Sequence, residues 1–177
     1  MIVERIWTGN AYRNFNYLIA CPQTGEALAI DPLDHVKCLA AAKAEGWTIT
    51  QILNTHEHLD HAGGLAKLKQ ITGAQFAVRE AAKAAVETGL PQADDPQHGL
   101  HPAFPGIKAD RIIGDGQTLR IGKQSITVMA TPGHSPGGTS YTWESCEQGD
   151  CRPEALGGHD GSVLSRLATP ILESAMP

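Results

Sequence analysis

Aromatic residues are scarce in this sequence, at 5% of 177 residues, and the net charge is −5. A nucleic-acid partner requires a positive surface and, for single strands, stacking side chains, so this composition argues against one. No run approaches the roughly 20 apolar residues of a membrane-spanning helix. Residues 1–7 lack the apolar core of a signal peptide. We therefore expect a cytoplasmic protein with neither a membrane nor a nucleic-acid partner.

Cysteine is also sparse, and the spacing of the four cysteines matches no zinc ribbon. Cys21 and Cys38 are expected to be small buried side chains. Cys146 and Cys151 are close enough in sequence to bridge a hairpin in an oxidising compartment, whereas in the cytosol they would be thiols.

The length and the balance of 41% apolar and 19% charged residues predict a single domain over residues 1–177. Hydrophobic periodicity and turn residues predict strands at 15–21, 26–31, 48–53, 75–78, 112–121, 125–130 and 139–143, with helices ending near Gly46, Gly73 and Thr88. Residues 89–108 hold four prolines and are predicted to form a long loop. The pattern after about Arg152 predicts no element.

Four possible metal ligands follow the strand at 48–53 within six residues: His56, His58, Asp60 and His61. Imidazole and carboxylate are donors that suit zinc. On a straight strand positions 56, 58 and 60 would share one face. A tight loop would instead turn His56 and His58 toward one ion, and Asp60 and His61 toward a neighbouring ion. Both arrangements predict a metal site, and a solvated polar turn is a poor alternative for this spacing.

His134 lies in a second loop, Pro132-Gly133-His134, after the strand at 125–130. Alone it would be interpreted as a turn residue, as are His35, His98 and His101 elsewhere on the surface. Beside the first cluster, we expect it to complete a three-histidine zinc site with one position open for water.

Zinc lowers the pKa of bound water to about 7, and a second ion about 3.5–4 Å away would share the hydroxide. Asp60 is the expected catalytic residue, because its carboxylate could accept a hydrogen bond from the water and pass a proton to the leaving group. The expected reaction is hydrolysis of an acyl bond in a small-molecule substrate.

The run Thr55-His56-Glu57-His58-Leu59-Asp60-His61 resembles the T/S-H-x-H-x-D-H signature of the metallo-β-lactamase superfamily. The resemblance covers roughly residues 1–151. It implies an α/β fold, the four-layer αββα sandwich, with the site at one edge between two sheets. It also implies two zinc ions, one bound by His56, His58 and His134, and the other by Asp60 and His61.

Two branches of that family are similar to different parts of the chain. Residues 1–75, with the stretches at 7–17 and 28–32, resemble glyoxalase II-type hydroxyacylglutathione hydrolases. Residues 94–151, with 94–99, 115–119 and 131–143, resemble the β-lactamase subclass that binds its second zinc without cysteine. The expected substrate is therefore a glutathione thioester or a β-lactam, and a mixed or recombined sequence is a further interpretation.

The segment after Cys151 departs from both branches. The first branch carries a bridging aspartate in a Gly-Asp-Thr-Leu-Phe segment and a final histidine, and the second has a late histidine. Residues 152–177 contain neither pattern, although His159 or Asp160 could stand in for a missing ligand. We expect a sandwich that is incomplete at its C-terminus through truncation or frameshift, with hydrophobic sheet surface left uncovered.

Two alternatives follow from the resemblance and its departure. One is a mono-iron sulfur dioxygenase, a branch of the superfamily that uses two histidines and an aspartate. The other is a truncated chain that binds one metal through His56, His58 and His134 without turnover.

Overall fold

The computed structural model describes residues 1–147, 150–157 and 163–165. Its elements in chain order are β1 (Ile2–Trp7), β2 (Phe15–Ala20), β3 (Glu26–Ile30), α1 (His35–Ala44), β4 (Thr48–Leu53), α2 (Leu59–Ala62), α3 (Leu65–Thr72), β5 (Gln75–Arg79), α4 (Glu80–Thr88), β6 (Arg111–Ile113), β7 (Thr118–Ile121), β8 (Gln124–Ala130), β9 (Thr139–Glu147), β10 (Asp150–Leu156) and β11 (Val163–Ser165). Among the described helices, none combines the length and the apolar character that crossing a membrane requires.

The strands form two sheets. The first has the order β1-β2-β3-β4-β5-β6 and the second the order β11-β10-β9-β8-β7. In the first sheet β1, β2 and β3 are antiparallel, whereas β3 to β6 are parallel. Parallel neighbours need a crossover connection, and α1, α3 and α4 lie in these connections.

Two hydrophobic cores lie on opposite faces of the first sheet, because successive side chains of a strand point in opposite directions. On β2, Leu18 packs in the core that contains α1, α3 and α4. Its neighbours Tyr17 and Ile19 pack against the second sheet. The layers are therefore helix, sheet, sheet, as in the first three layers of the predicted αββα sandwich. No helix in the described part of the chain covers the outer face of the second sheet.

The predicted single strand at 112–121 is wrong. β6 pairs with β5 in the first sheet, whereas β7 pairs with β8 in the second. Gly114-Asp115-Gly116 separates them, and Gly116 has φ +71°, a conformation that glycine adopts without steric cost. β1, which forms an edge of the first sheet, was not predicted from the sequence.

Part of the tail is regular after all, since β10 pairs antiparallel with β9 across the described residues. Cys151 is disulfide-bonded, the form expected in an oxidising compartment, and its backbone lies opposite that of Cys146. Met129 is the one large apolar side chain exposed on β7 to β10 among those described, so little uncovered hydrophobic surface is found there. His159 and Asp160 lie outside the described residues.

Candidate metal centre

The chain that follows β4 carries four of the five predicted ligands. β4 lies between β3 and β5 in the first sheet, and the residues after Leu53 leave the sheet at its carboxyl edge. The Thr55 carbonyl accepts a hydrogen bond from the Thr139 amide (2.8 Å). The side-chain amide of Asn54 donates to the His56 carbonyl (2.7 Å). One helical turn, α2, then begins after His58, where the sequence predicted a loop.

Gly64 explains why this segment can lie so close to the end of β3. A Cβ atom at Gly64 would lie 1.9 Å from the Pro32 carbonyl oxygen and 2.5 Å from the Leu33 carbonyl oxygen. Any other residue would push the chain after α2 away from the segment that contains Asp31. Gly64 therefore permits this close backbone approach, next to the start of α3.

The fifth predicted ligand, His134, lies on the loop between β8 and β9. The Thr131 amide donates to the Gly138 carbonyl (2.9 Å) and closes this loop. The Arg79 guanidinium donates to the same carbonyl (3.0 Å). His134 is exposed at the tip, whereas Ser135 is buried, so the loop presents an imidazole at the surface from an anchored base.

These side chains form two sets that we call the first and second ligand groups. The first contains His56, His58 and His134, and the second contains His56, Asp60 and His61. Within each set the candidate ligand atoms all lie within 4.8 Å of one another. Two ligands at 2.0–2.2 Å from one zinc ion are at most about 4.4 Å apart, so each set is close to the size that one ion requires.

The Asp31 carboxylate orients the second group. Its Oδ2 accepts a hydrogen bond from His61 Nδ1 (2.9 Å) and one from the Thr55 hydroxyl (2.6 Å), while Oδ1 accepts from the Thr55 amide (2.6 Å). With its proton on Nδ1, a neutral His61 has its lone pair on Nε2, which lies 3.4 Å from Asp60 Oδ2. Asp31 therefore favours the tautomer that can bind a metal beside Asp60.

Thr55 extends this chain of hydrogen bonds to His56. Its hydroxyl donates to Asp31 and is 3.1 Å from His56 Nδ1. The hydroxyl oxygen is then an acceptor for an Nδ1 proton, which leaves the lone pair of His56 on Nε2.

Asp95 plays the corresponding part for His58. Both of its carboxylate oxygens lie 3.0 Å from His58 Nε2, and both side chains are fully buried. Because Nε2 then carries the proton, the lone pair is on Nδ1, which lies 3.1 Å from His134 Nε2. The donor set and the tautomers of His56, His58 and His61 thus fit a cation, since each of these imidazoles keeps a lone pair on the nitrogen that does not face its Thr55, Asp95 or Asp31 partner.

Electrostatics separate His61 from an ordinary histidine. Burial acts against a charged imidazole, but the Asp31 carboxylate, with Asp60 nearby, more than offsets it and raises the pKa of His61 above its usual value. Burial, with the charge of Asp31, also raises the pKa of Tyr141, whose hydroxyl donates to the Asn54 carbonyl (2.8 Å). Because the pKa of His61 is raised, a proton competes with a metal ion for the lone pair of its imidazole.

The structure brings all five predicted ligands together, and their role as ligands stays a prediction. His98 and His101 belong to neither group, and His98 Nδ1 lies 2.9 Å from the Pro91 carbonyl. No role was predicted from the sequence for Asp31, Asp95 or Glu57. For Asp31 a signal was available, because it ends a strand that runs parallel to β4 and so meets the same sheet edge.

Comparison with known proteins places these features in a family. The family model described as the metallo-beta-lactamase superfamily matches residues 17–147. A hydroxyacylglutathione hydrolase of Polaromonas sp. is 51% identical over 135 residues, which is 76% of this chain and 44% of that protein. A hydroxyacylglutathione hydrolase of Nitrosococcus oceani is 47% identical over 137 residues, with the same two shares.

Solved structures give a second set of relatives. The metallo-beta-lactamase MIM-1 from Novosphingobium pentaromativorans has a TM-score of 0.74 and 36% identity, over 81% of this chain and 55% of that chain. The metallo-beta-lactamase SMB-1, solved with 2-mercaptoethanesulfonate, has a TM-score of 0.75 and 31% identity, over 88% and 60%. The matched region spans less than half the length of the curated relatives named above.

Proposed function

Because this chain belongs to the metallo-beta-lactamase superfamily, we propose that it is a zinc-dependent hydrolase that cleaves an acyl bond of a small-molecule substrate. The observation that carries this proposal is the convergence of the first ligand group, whose ligand atoms lie within 4.8 Å of one another. The contacts with Thr55 and Asp95 leave the lone pair of His56 on Nε2 and that of His58 on Nδ1, which lies 3.1 Å from His134 Nε2. Three imidazoles around one zinc leave a fourth position open for water.

The residues divide the work of such a reaction. A bound zinc ion lowers the pKa of a coordinated water to about 7, which supplies a nucleophile near neutral pH. His56, His58 and His134 would hold this ion. Asp60, whose side chain is 29% exposed, lies at the open side of the site, where it could accept a hydrogen bond from water. It would then hold the proton and return it to the leaving group. Asp60 and His61 would hold a second ion.

For the substrate we propose a glutathione thioester. The support is the 51% identity to a protein named hydroxyacylglutathione hydrolase, which exceeds the 36% identity to the β-lactamase MIM-1. A β-lactam is the second candidate, because the structural neighbours named above are β-lactamases with TM-scores of 0.74 and 0.75. In both substrates an activated water would attack a carbonyl carbon, so the same arrangement of residues could hydrolyse either.

A paired assay tests the proposal. The protein is purified without chelator, its zinc and iron contents are measured, and the zinc-loaded form is assayed with S-lactoylglutathione and with a chromogenic cephalosporin. We expect thioester hydrolysis that is lost on removal of zinc and in H58A. Cephalosporin hydrolysis alone would instead favour the β-lactam.

Activity on neither substrate in folded, zinc-loaded protein would overturn the hydrolase proposal and leave a metal-binding chain without turnover. Bound iron together with oxygen uptake would indicate the dioxygenase alternative.

A further inference from the structure

Glu57 lies between His56 and His58 in sequence, and its side chain binds the other ligand loop. Its Oε1 accepts a hydrogen bond from the Gly137 amide (2.9 Å), and its Oε2 accepts one from the Ser135 hydroxyl (2.9 Å). Glu57 is only 1% exposed. One buried carboxylate therefore joins two segments that are about 80 residues apart in the chain.

We propose that Glu57 is a positioning residue that fixes His134 relative to His56 and His58. The inference rests on the proposed function, because it concerns how the three histidines come to share one ion. Glu57 acts through the loop and has no role as a ligand or in the reaction itself.

The internal hydrogen bonds of the His134 loop shape it but do not place it. The Gly133 amide donates to the Ser135 carbonyl (3.2 Å), and the Gly138 amide donates to the same carbonyl (3.3 Å). Both bonds join residues of the same loop, so they do not fix the position of the loop relative to the rest of the protein. Placement against the β4 segment requires contacts between the two loops, and the Ser135–Glu57 bond is one residue away from the exposed His134.

The remaining anchors act at the far end of the loop. Arg79 binds the Gly138 carbonyl, and the Thr139 amide binds the Thr55 carbonyl. They fix the start of β9, four or five residues after His134. Glu57 binds the loop at one and three residues after His134, and so it controls the part of the loop that the far anchors leave free to pivot.

Packing makes the contact with Glu57 specific. A Cβ atom at Gly137 would lie 2.3 Å from Glu57 Oε2 and 2.5 Å from the Ala82 Cβ. The carboxylate thus lies directly against the backbone of the loop, which only glycine permits. Both partners on the loop are donors, and a carboxylate offers acceptors at both oxygens. Such charge-assisted bonds are roughly twice as strong as neutral ones.

The test compares E57A, E57Q and S135A with I121A, a core change in β7 that contacts neither loop. I121A serves as the matched control because Ile121 is fully buried in the core between the sheets and its truncation lowers stability without touching the site. Two quantities are measured: hydrogen exchange of the Gly137 amide in metal-free protein, and zinc affinity by competition with a chelator. Cobalt in place of zinc adds the visible spectrum, which reports the number of ligands.

We expect E57A to expose the Gly137 amide to exchange and to lower zinc affinity about 10–100-fold, the range for residues that orient metal ligands. The cobalt spectrum should show one imidazole fewer. S135A removes one of the two bonds and should have a smaller effect. E57Q has one acceptor oxygen for the two donors of the loop, so it should lose part of the Gly137 protection and of the zinc affinity, less than E57A loses. It replaces E57A if that variant does not fold.

I121A should lose thermal stability but retain both zinc affinity and Gly137 protection. Wild-type exchange at Gly137 in E57A and E57Q, or equal losses of affinity in I121A, would overturn the inference. If the wild-type protein binds no zinc, the proposed function fails. The Gly137 exchange in metal-free protein then still decides whether Glu57 fixes the loop.

Discussion

The two ligand groups share His56 but need very different amounts of the chain. The second group lies within six consecutive residues, and two of its ligands, Asp60 and His61, are in the single helical turn α2. The first group also requires His134, which lies on a different loop and 76 residues after His58 in the chain. The local conformation of residues 56–61 is therefore enough to form the second group. The first group forms only when the two sheets are packed against each other.

The groups also differ in how complete they are. Because the Nδ1 of His56 faces the Thr55 hydroxyl, this imidazole has one lone pair to offer and can serve a single ion. If the ion of the first group takes it, the second keeps only Asp60 and His61 among the described residues. The first group should therefore bind its ion more tightly than the second.

Removal of one histidine from each group is the strongest test of this difference. We expect H58A to lower the affinity for the tightest zinc ion by more than about 100-fold, because a ligand contributes more than a residue that orients one. H61A should leave that ion in place within a few-fold. Competition with a chelator, together with zinc content per folded chain, measures both. Equal losses in the two variants would mean that the groups do not differ as described.

Asp31 offers a way to weaken the second group through the fold. Its carboxylate accepts three hydrogen bonds at 2.6–2.9 Å from buried partners, and its φ of +51° suits asparagine better than most residues. D31N should therefore keep the backbone but lose about 3 kcal/mol of unfolding free energy, since hydrogen bonds to a buried charge are strong.

Chemical denaturation of metal-free protein measures this change. D110N is the matched control, since Asp110 is a half-exposed carboxylate paired with Lys69 and should cost less. A D31N variant no less stable than D110N would contradict the role of Asp31.

The contrast between a local and a tertiary ligand group also explains which parts of the site could be predicted from the sequence. His56, His58, Asp60 and His61 are adjacent, and a strand of apolar and β-branched residues delivers them, so a metal cluster is visible without knowledge of the fold. His134 was predictable only in combination with that cluster. The layers α, β and β were expected from the family resemblance, and the alternation of Tyr17, Leu18 and Ile19 between two cores agrees with them.

The carboxylates that orient the ligands could not be predicted in the same way. Asp31 precedes the cluster by 25 residues, and its one signal in the sequence is its place at the end of a strand parallel to β4. Asp95 lies in the predicted long loop at 89–108, for which no contact was assigned. Glu57 is inside the motif, yet its side chain points to a loop that only the tertiary structure brings near. The division of residues 112–121 between two sheets was missed because strand propensity does not report which sheet a strand joins.

Substitution of Asp95 should weaken zinc binding by the first group less than removal of a ligand does. D95N removes the charge that accepts the His58 Nε2 proton at 3.0 Å, so the tautomer with its lone pair on Nδ1 is favoured less. We expect the tightest zinc to bind about 10–100-fold more weakly, with little change at Asp60 and His61. D94N, at an exposed position next to Asp95, is the control. A D95N protein with wild-type zinc affinity would show that His58 needs no partner for its orientation.

The pH dependence of the metal-free protein gives the smallest expected effect and concerns the second group alone. Burial disfavours a charged His61, but the Asp31 carboxylate outweighs it, so the pKa of His61 is raised. The ion pair therefore stabilises the fold fully below the ordinary histidine pKa of about 6.5, and this contribution is lost as pH rises through the raised pKa.

Unfolding free energy of metal-free protein should accordingly fall as pH rises above the ordinary histidine pKa of about 6.5, and H61Q should flatten that slope. Zinc affinity at Asp60 and His61 should change in the opposite direction, because the imidazole must lose its proton before it binds metal. Opposite slopes in one protein would tie both effects to a single proton on His61. A stability slope that persists in H61Q would assign it to another group and would leave Asp31 with a purely structural role.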